Sequence, residues 1–160
     1  MTAPAQALPL LSANAVDLAE FGQLLDPGGA RELPYDEAVG AWADRAGALW
    51  GSSLEIVRLP KVSAELTLDT MEIHPASGQI SVAFDRPLVI VLFRGAPPAS
   101  YRDATAVTVP KGWGFLIREG LWHCGLRALG GESRAVAIFR EGTSKNSEVR
   151  PAPGPIVVVP

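Results

Sequence analysis

Only two histidines occur in the 160 residues, His74 and His123, and the groups around each decide what chemistry the chain can support. Imidazoles and carboxylates are the side chains that exchange protons near neutral pH. His74 ends the stretch "TMEIH", with Glu72 two places before it and Gln79 five after it. Alternate residues of a strand share a face, so Glu72 and His74 project together. Pro75 holds His74 in extended geometry, and "PASG" turns the chain so that Gln79 opens the next strand. His123 lies in "VPKGWGFLIREGLWHCG", after a turn at Pro110 and Gly112, a strand "GFLI" and a second turn "REG". Taken singly, each of these polar residues also has a plain structural explanation. A strand-end histidine can be satisfied by backbone groups, and Glu72 and Gln79 can be solvated turn residues.

The elements that must position these groups read as β-structure. From residue 54 onward, "LEIVRL", "ELTLDTMEIH", "QISVAF", "PLVIVLF", "TAVTVP", "GFLI", "LWHCGL" and "RAVAIF" are short, β-branched or aromatic, and separated by turn residues. A final "PIVVVP" reads as a C-terminal strand on a sheet edge, joined by a Pro-rich linker "RPAPGP". Upstream, "LSANAVDLAEFG" reads as a short helix with Ser12 or Asn14 as its cap and Gly22 as its end. "GQLLDPGG" is a short strand running into a turn, and residues 34–50 are an excursion before the main sheet. This pattern predicts an all-β sandwich or barrel of antiparallel type.

A 160-residue chain that is 48% hydrophobic accommodates one domain, 1–160, with a sizeable core. Within it, residues 1–53 form the N-terminal helix and excursion, 54–142 the core barrel and 143–160 a tail with an edge strand. A net charge of −3 with dispersed Lys and Arg argues against nucleic acid or an anionic membrane as partner. Apolar runs of strand length and an N-terminus without a basic region predict a cytoplasmic, unexported protein. A single cysteine, Cys124, excludes an intrachain disulfide framework and reads as a buried small hydrophobe.

The two polar stretches together resemble the two motifs of the cupin barrels: His-x-His with a later Glu, then a Pro-Gly turn ahead of one more His. Here Glu72 and His74 stand at the His-x-His positions, Gln79 at the Glu position and His123 at the final His. Within that superfamily the chain resembles the ureidoglycolate lyases of allantoin degradation over most of its length. The specific pieces are His74-Pro75 and Trp122-His123; "PLLSANAVDLAEFGQLLD", Arg58 sixteen residues before His74, and "FREGTSKNSEV" accompany them. Departures from that pattern are Ile73 for Arg, Cys124 for a second His, Gly125 for Pro, and Leu116 and Ile117 for a polar Asn-Tyr pair. Ser81 and Ala83 likewise replace Phe and Pro.

The resemblance implies a double-stranded β-helix (jelly-roll barrel) with a short N-terminal helix, in which Glu72, His74, Gln79 and His123 hold a divalent metal. Ni, Mn, Zn and Fe all suit such a ligand set. It implies a lyase that splits a ureidoglycolate-like 2-hydroxy acid into urea and glyoxylate, with Glu72 or an unligated histidine as general base. Arg58 would pair the substrate carboxylate, and Trp122 and Arg140 are further candidate substrate contacts that could equally be wall and turn residues. A small-molecule substrate and a homodimer follow from the resemblance. The alternative is a non-catalytic or differently specialised ligand-binding cupin, which the departures at Leu116, Ile117 and Cys124 favour.

Overall fold

The computed structural model describes residues 6–26, 52–59, 68–95, 101–128, 130–131, 133–140 and 146–159. Among these the chain forms eleven strands: β1 Gln6–Ser12, β2 Gly22–Leu25, β3 Ser52–Leu59, β4 Leu68–Ile73, β5 Gln79–Ala83, β6 Leu88–Phe93, β7 Ala104–Val109, β8 Gly114–Ile117, β9 Arg127–Ala128, β10 Ser133–Arg140 and β11 Glu148–Val159. A six-stranded sheet has the order β4-β11-β1-β7-β6-β9, and a five-stranded sheet the order β2-β8-β5-β10-β3. The fold is all-β, two sheets of mostly antiparallel strands, as the strand pattern predicts. Residues 34–50 lie outside the described residues. No helix among the described residues is long and apolar enough to cross a membrane.

Alternation along the strands sorts the side chains into layers. In β6, Leu88, Ile90 and Leu92 join the cluster between the sheets, while Val89, Val91 and Phe93 join a second cluster on the opposite face. All six are buried, which explains why "LVIVLF" is apolar throughout rather than alternating. In β5 the alternation inverts the usual chemistry. Ile80 and Val82 pack in an outer cluster, and the polar Gln79 and Ser81 take the other face, fully shielded. Buried polar residues are costly unless bonded, so these two mark a built site rather than a core defect.

The N-terminal helix expected over residues 11–22 is not formed. Leu10–Ser12 pair in parallel with Ala106–Thr108, and the chain then turns: Ala15 N donates to Ser12 O at 3.0 Å, and Ala19 N to Asp17 Oδ1 at 3.0 Å. Ser12, Asn14 and Asp17 look like caps in sequence, but their side chains bond local backbone or one another and so support turns instead. Ala13, Leu18 and Phe21 still reach the core. The Pro-rich "RPAPGP" is not a linker and "PIVVVP" is not an edge. Residues 150–159 of these stretches belong to β11, which lies between β4 and β1, parallel to β1 and antiparallel to β4. The register jumps from Pro151↔Thr70 to Ile156↔Leu68, so Pro153 and Pro155, which cannot donate to a ladder, fall in the irregularity between them. β1, β2 and β11 therefore belong to the sheets, beyond the 54–142 core expected.

Gly22, expected to end a helix, instead opens β2 where it passes close to β8. A Cβ built there would lie 1.8 Å from Leu116 O. Gly22→Ala is expected to cost about 1–3 kcal/mol or more, because strand β2 must back away from its partner; chemical denaturation checks this.

Asp85, after β5, accepts from Arg134 Nε at 3.0 Å and from the Arg134 backbone N at 3.2 Å. The guanidinium holds the Asp85 carboxyl below the usual range against a smaller opposing effect of burial. A depressed folded pKa gives stability that is present above the unfolded value and lost as pH falls through the folded one. Asp85→Asn should lower the melting temperature slightly near neutrality, since the pair is exposed and screened. That difference should close in acid; one that persists unchanged would remove the ion pair as its cause.

Candidate functional site

β4 and the turn after it deliver the first half of the site. Glu72 stands on β4, and His74 follows directly, buried to 6% exposure. Ser77 N donates weakly to His74 O at 3.5 Å, and Gly120 N to the same oxygen at 3.1 Å, which pins the strand end from two sides. Gln79 then opens β5 in the facing sheet.

The second half is held by backbone pairing rather than by a strand of its own. His123, expected within a strand, forms isolated bridges with both Glu72 and Leu92. Glu72 N donates to His123 O at 2.7 Å and His123 N to Glu72 O at 2.9 Å, while Phe93 N donates to Trp122 O and Cys124 N to Val91 O. Residues 122–124 thus join β4 to β6, and the alternation they inherit sends His123 to the site and Trp122 and Cys124 to the opposite cluster.

The side chains converge. Ligand atoms of Glu72, His74 and His123 all lie within 4.8 Å of one another, and the two imidazole centroids are 5.2 Å apart. Phe139 on β10 stands edge-on to His74 at 5.1 Å. His74 Nε2 is 2.8 Å from Gln79 Oε1, Gln79 Nε2 donates to Ser81 Oγ at 3.0 Å, and His74 Nδ1 is 2.8 Å from Ser147 Oγ. With the carboxamide oriented by Ser81, Gln79 Oε1 can only accept, so His74 carries its proton on Nε2 and accepts from Ser147 at Nδ1.

His123 is wired differently. Its Nδ1 faces the Leu121 carbonyl at 3.0 Å and must donate there, which leaves Nε2 of the neutral ring as a lone pair. Nε2 lies 3.3 Å from Glu72 Oε1, and it is a buried nitrogen with no hydrogen-bond partner among the described residues. A lone pair facing a carboxylate at that distance calls for a positive charge between or upon them. With a proton on His123 Nε2, that ring holds the Glu72 carboxyl below its usual range; burial opposes this, and the charges of His123, His74 and Arg127 add to the lowering. Two donors bound about 2.1 Å from one ion lie about 3.0–3.4 Å apart, so the Glu72–His123 spacing is that of neighbouring ligands on a single ion. The donor set fits a divalent cation.

Of the other residues singled out in the sequence, Trp122 packs in the cluster away from the site, under Arg150, whose guanidinium carbon is 5.4 Å from the ring. The register pairs Arg58 with Arg134 and Arg140 with Ser52. Both thereby alternate with Ala135, Ala137 and Phe139, the β10 positions on the His74 side; the side chains of Arg58 and Arg140 lie outside the described residues. Ser81 and Ser147 were missed. Ser81 shares its face with Gln79 by strand period alone, a usable signal, whereas Ser147 comes from distant sequence and carries none.

No family model matches the chain. Over 141 residues the chain is 28% identical to the ureidoglycolate lyases of Burkholderia mallei strains NCTC 10229 and NCTC 10247, covering 80% of this chain and 79% of theirs. A solved oxalate oxidase in complex with the substrate analogue glycolate is similar at 22% identity and a TM-score of 0.42, covering 64% of this chain; the chain spans 47% of that protein. The chain is thus similar over most of its length to ureidoglycolate lyases, and its own fold is all-β.

Proposed function

We propose that the chain is a metal-assisted lyase that cleaves a ureidoglycolate-like 2-hydroxy acid, releasing urea and glyoxylate. The observation that carries this reading is the unpartnered Nε2 of buried His123 facing the Glu72 carboxylate, with His74 within reach. His123 and Glu72 would hold a divalent ion, and His74 and Gln79 would join them only on giving up their hydrogen bond to each other. When bound, the ion would stabilise negative charge developing on the substrate hydroxyl oxygen. Glu72, at the solvent-facing side of the cluster, takes the hydroxyl proton as the carbon–nitrogen bond breaks and returns it to the departing nitrogen. Kept ionised by its neighbours, it is prepared for the first of these steps. Ser81 and Gln79 fix His74, and Ser147 fixes its other face, so that neither ring drifts from the reacting centre. Because the register alternates Arg58 and Arg140 with the His74-side positions, we assign the substrate carboxylate to neither; a cytoplasmic homodimer is the proposed state.

One observation favours a second reading. Both His74 nitrogens already have protein partners, as in a site that binds a small molecule without a competent ion. A single experiment separates them: elemental analysis of purified protein, followed by urea and glyoxylate assays on ureidoglycolate with Ni or Mn added back. The lyase is expected to release both products in equal amounts and only with metal. Folded protein that retains no metal and turns over nothing would establish the ligand-binding alternative.

A further inference from the structure

Strand register places Ser147 against His74. Glu148, the first residue of β11, pairs with Ile73, the last of β4, and that antiparallel register carried one step outward sets Ser147 opposite His74. Their side chains meet there, with Ser147 Oγ 2.8 Å from His74 Nδ1. His74 is buried, whereas Ser147 is half-buried between exposed Asn146 and Glu148, so the pair sits where the cluster approaches solvent.

The other ring nitrogen is committed to orienting the imidazole. Nε2 donates to Gln79 Oε1 at 2.8 Å, and Ser81 Oγ accepts from the Gln79 carboxamide at 3.0 Å, which stops the amide from turning over. In that tautomer the Nδ1 lone pair faces a hydroxyl, the arrangement in which an imidazole draws off the hydroxyl proton. Taking that proton leaves the ring positive. A neutral carboxamide orients an imidazole but does little to offset such a charge. The Glu72 carboxylate, with an oxygen within 4.8 Å of a His74 nitrogen, supplies the offset.

We propose that Ser147 is a nucleophile, with His74 as its base, that accepts the acyl group of an activated carboxylic ester. Ser147 Oγ bonds the acyl carbon as its proton passes to His74 Nδ1. The bond from that carbon to the alcohol oxygen breaks, and Nδ1 gives the proton to the departing oxygen. Water then attacks the acyl carbon and yields a proton to Nδ1, which passes it to the departing Ser147 oxygen. Ester and water thus give acid and alcohol. The reaction asks no ion of Glu72 and His123, so it stands or falls separately from the lyase reading.

The test treats the full chain, without added metal, with the serine reagent diisopropyl fluorophosphate and reads the product by intact mass and peptide mapping. General-base assistance is worth about 100- to 10,000-fold, so one adduct is expected, on Ser147, formed about 100-fold faster than at any other serine. p-Nitrophenyl acetate should leave an acetyl group on the same residue. Ser147→Ala should remove both adducts, with near-UV circular dichroism showing that the variant is folded. Gln79→Leu, which removes the acceptor that orients His74, should slow labelling by about tenfold or more, and Gln79→Glu, which keeps an acceptor, should restore it. Folded wild-type protein that takes no adduct, adducts spread over several serines, or wild-type labelling in Ser147→Ala or Gln79→Leu would overturn the proposal. None of these results bears on urea and glyoxylate release, which tests the lyase independently.

Discussion

His123→Ala is expected to reduce affinity for a divalent ion at least 100-fold and to abolish metal-dependent product release. The imidazole supplies a buried nitrogen left without a hydrogen-bond partner among the described residues, 3.3 Å from the Glu72 carboxylate. Removing it takes away one donor of the pair. Substitutions merely adjoining a metal's ligands cost about 10–100-fold in affinity, so loss of a ligand itself falls at or beyond the upper end. The backbone contribution survives, because both bridges of residue 123 are made by main-chain atoms. The side chain is only 1% exposed, however, and its loss leaves a void that lowers stability as well. The measurement is therefore made below the variant's own melting transition, with ion binding followed by calorimetry and packing by near-UV circular dichroism. A folded variant that keeps wild-type affinity would show that the cluster is not a metal centre.

Much of this site is legible in sequence because strand parity is unforgiving. A two-residue spacing, with Pro75 fixing the strand end, puts Glu72 and His74 together whatever the rest of the fold does, and the turn brings Gln79 back. The same parity, extended two residues, reaches Ser81. What parity cannot reach is pairing across the chain. Ser147 meets His74 over 73 residues, and His123 meets Glu72 through an isolated bridge whose partner the strand-like run "LWHCGL" does not specify. Errors cluster where local signals are ambiguous. Ser12, Asn14 and Asp17 serve caps and turns equally well, and pairing of β1 with β7 and β11 decides between them. Prolines in "RPAPGP" argue against a ladder, yet a bulge accommodates them within one strand. Trp122 illustrates the cost of adjacency: it neighbours a site residue in sequence and faces away from the site for that very reason.

Glu72→Gln is expected to move stability and function in opposite directions. Glutamine matches the shape of glutamate, but its carboxamide N–H can donate to the lone pair of His123 Nε2, which at present faces a carboxylate oxygen at 3.3 Å. A buried acceptor gains a partner, and a bond of this kind contributes about 0.5–1.5 kcal/mol. Without metal, the variant should therefore melt at the same temperature as the wild type or somewhat higher. Ion affinity should fall at least tenfold, because an anionic ligand becomes neutral, and product release should be lost with the base. The two readings of the Glu72–His123 pair diverge here. Were it a structural ion pair, taking away one partner would strand a buried charge and cost about 3–5 kcal/mol. Were it a ligand pair kept apart for a cation, the same change would relieve a conflict that the fold tolerates for function's sake, as sites often do. Metal-free melting curves of wild type and variant, read beside ion-binding titrations, decide the matter: a large fall in melting temperature would assign the pair to stability, and an unchanged or raised one with lost ion affinity would assign it to chemistry.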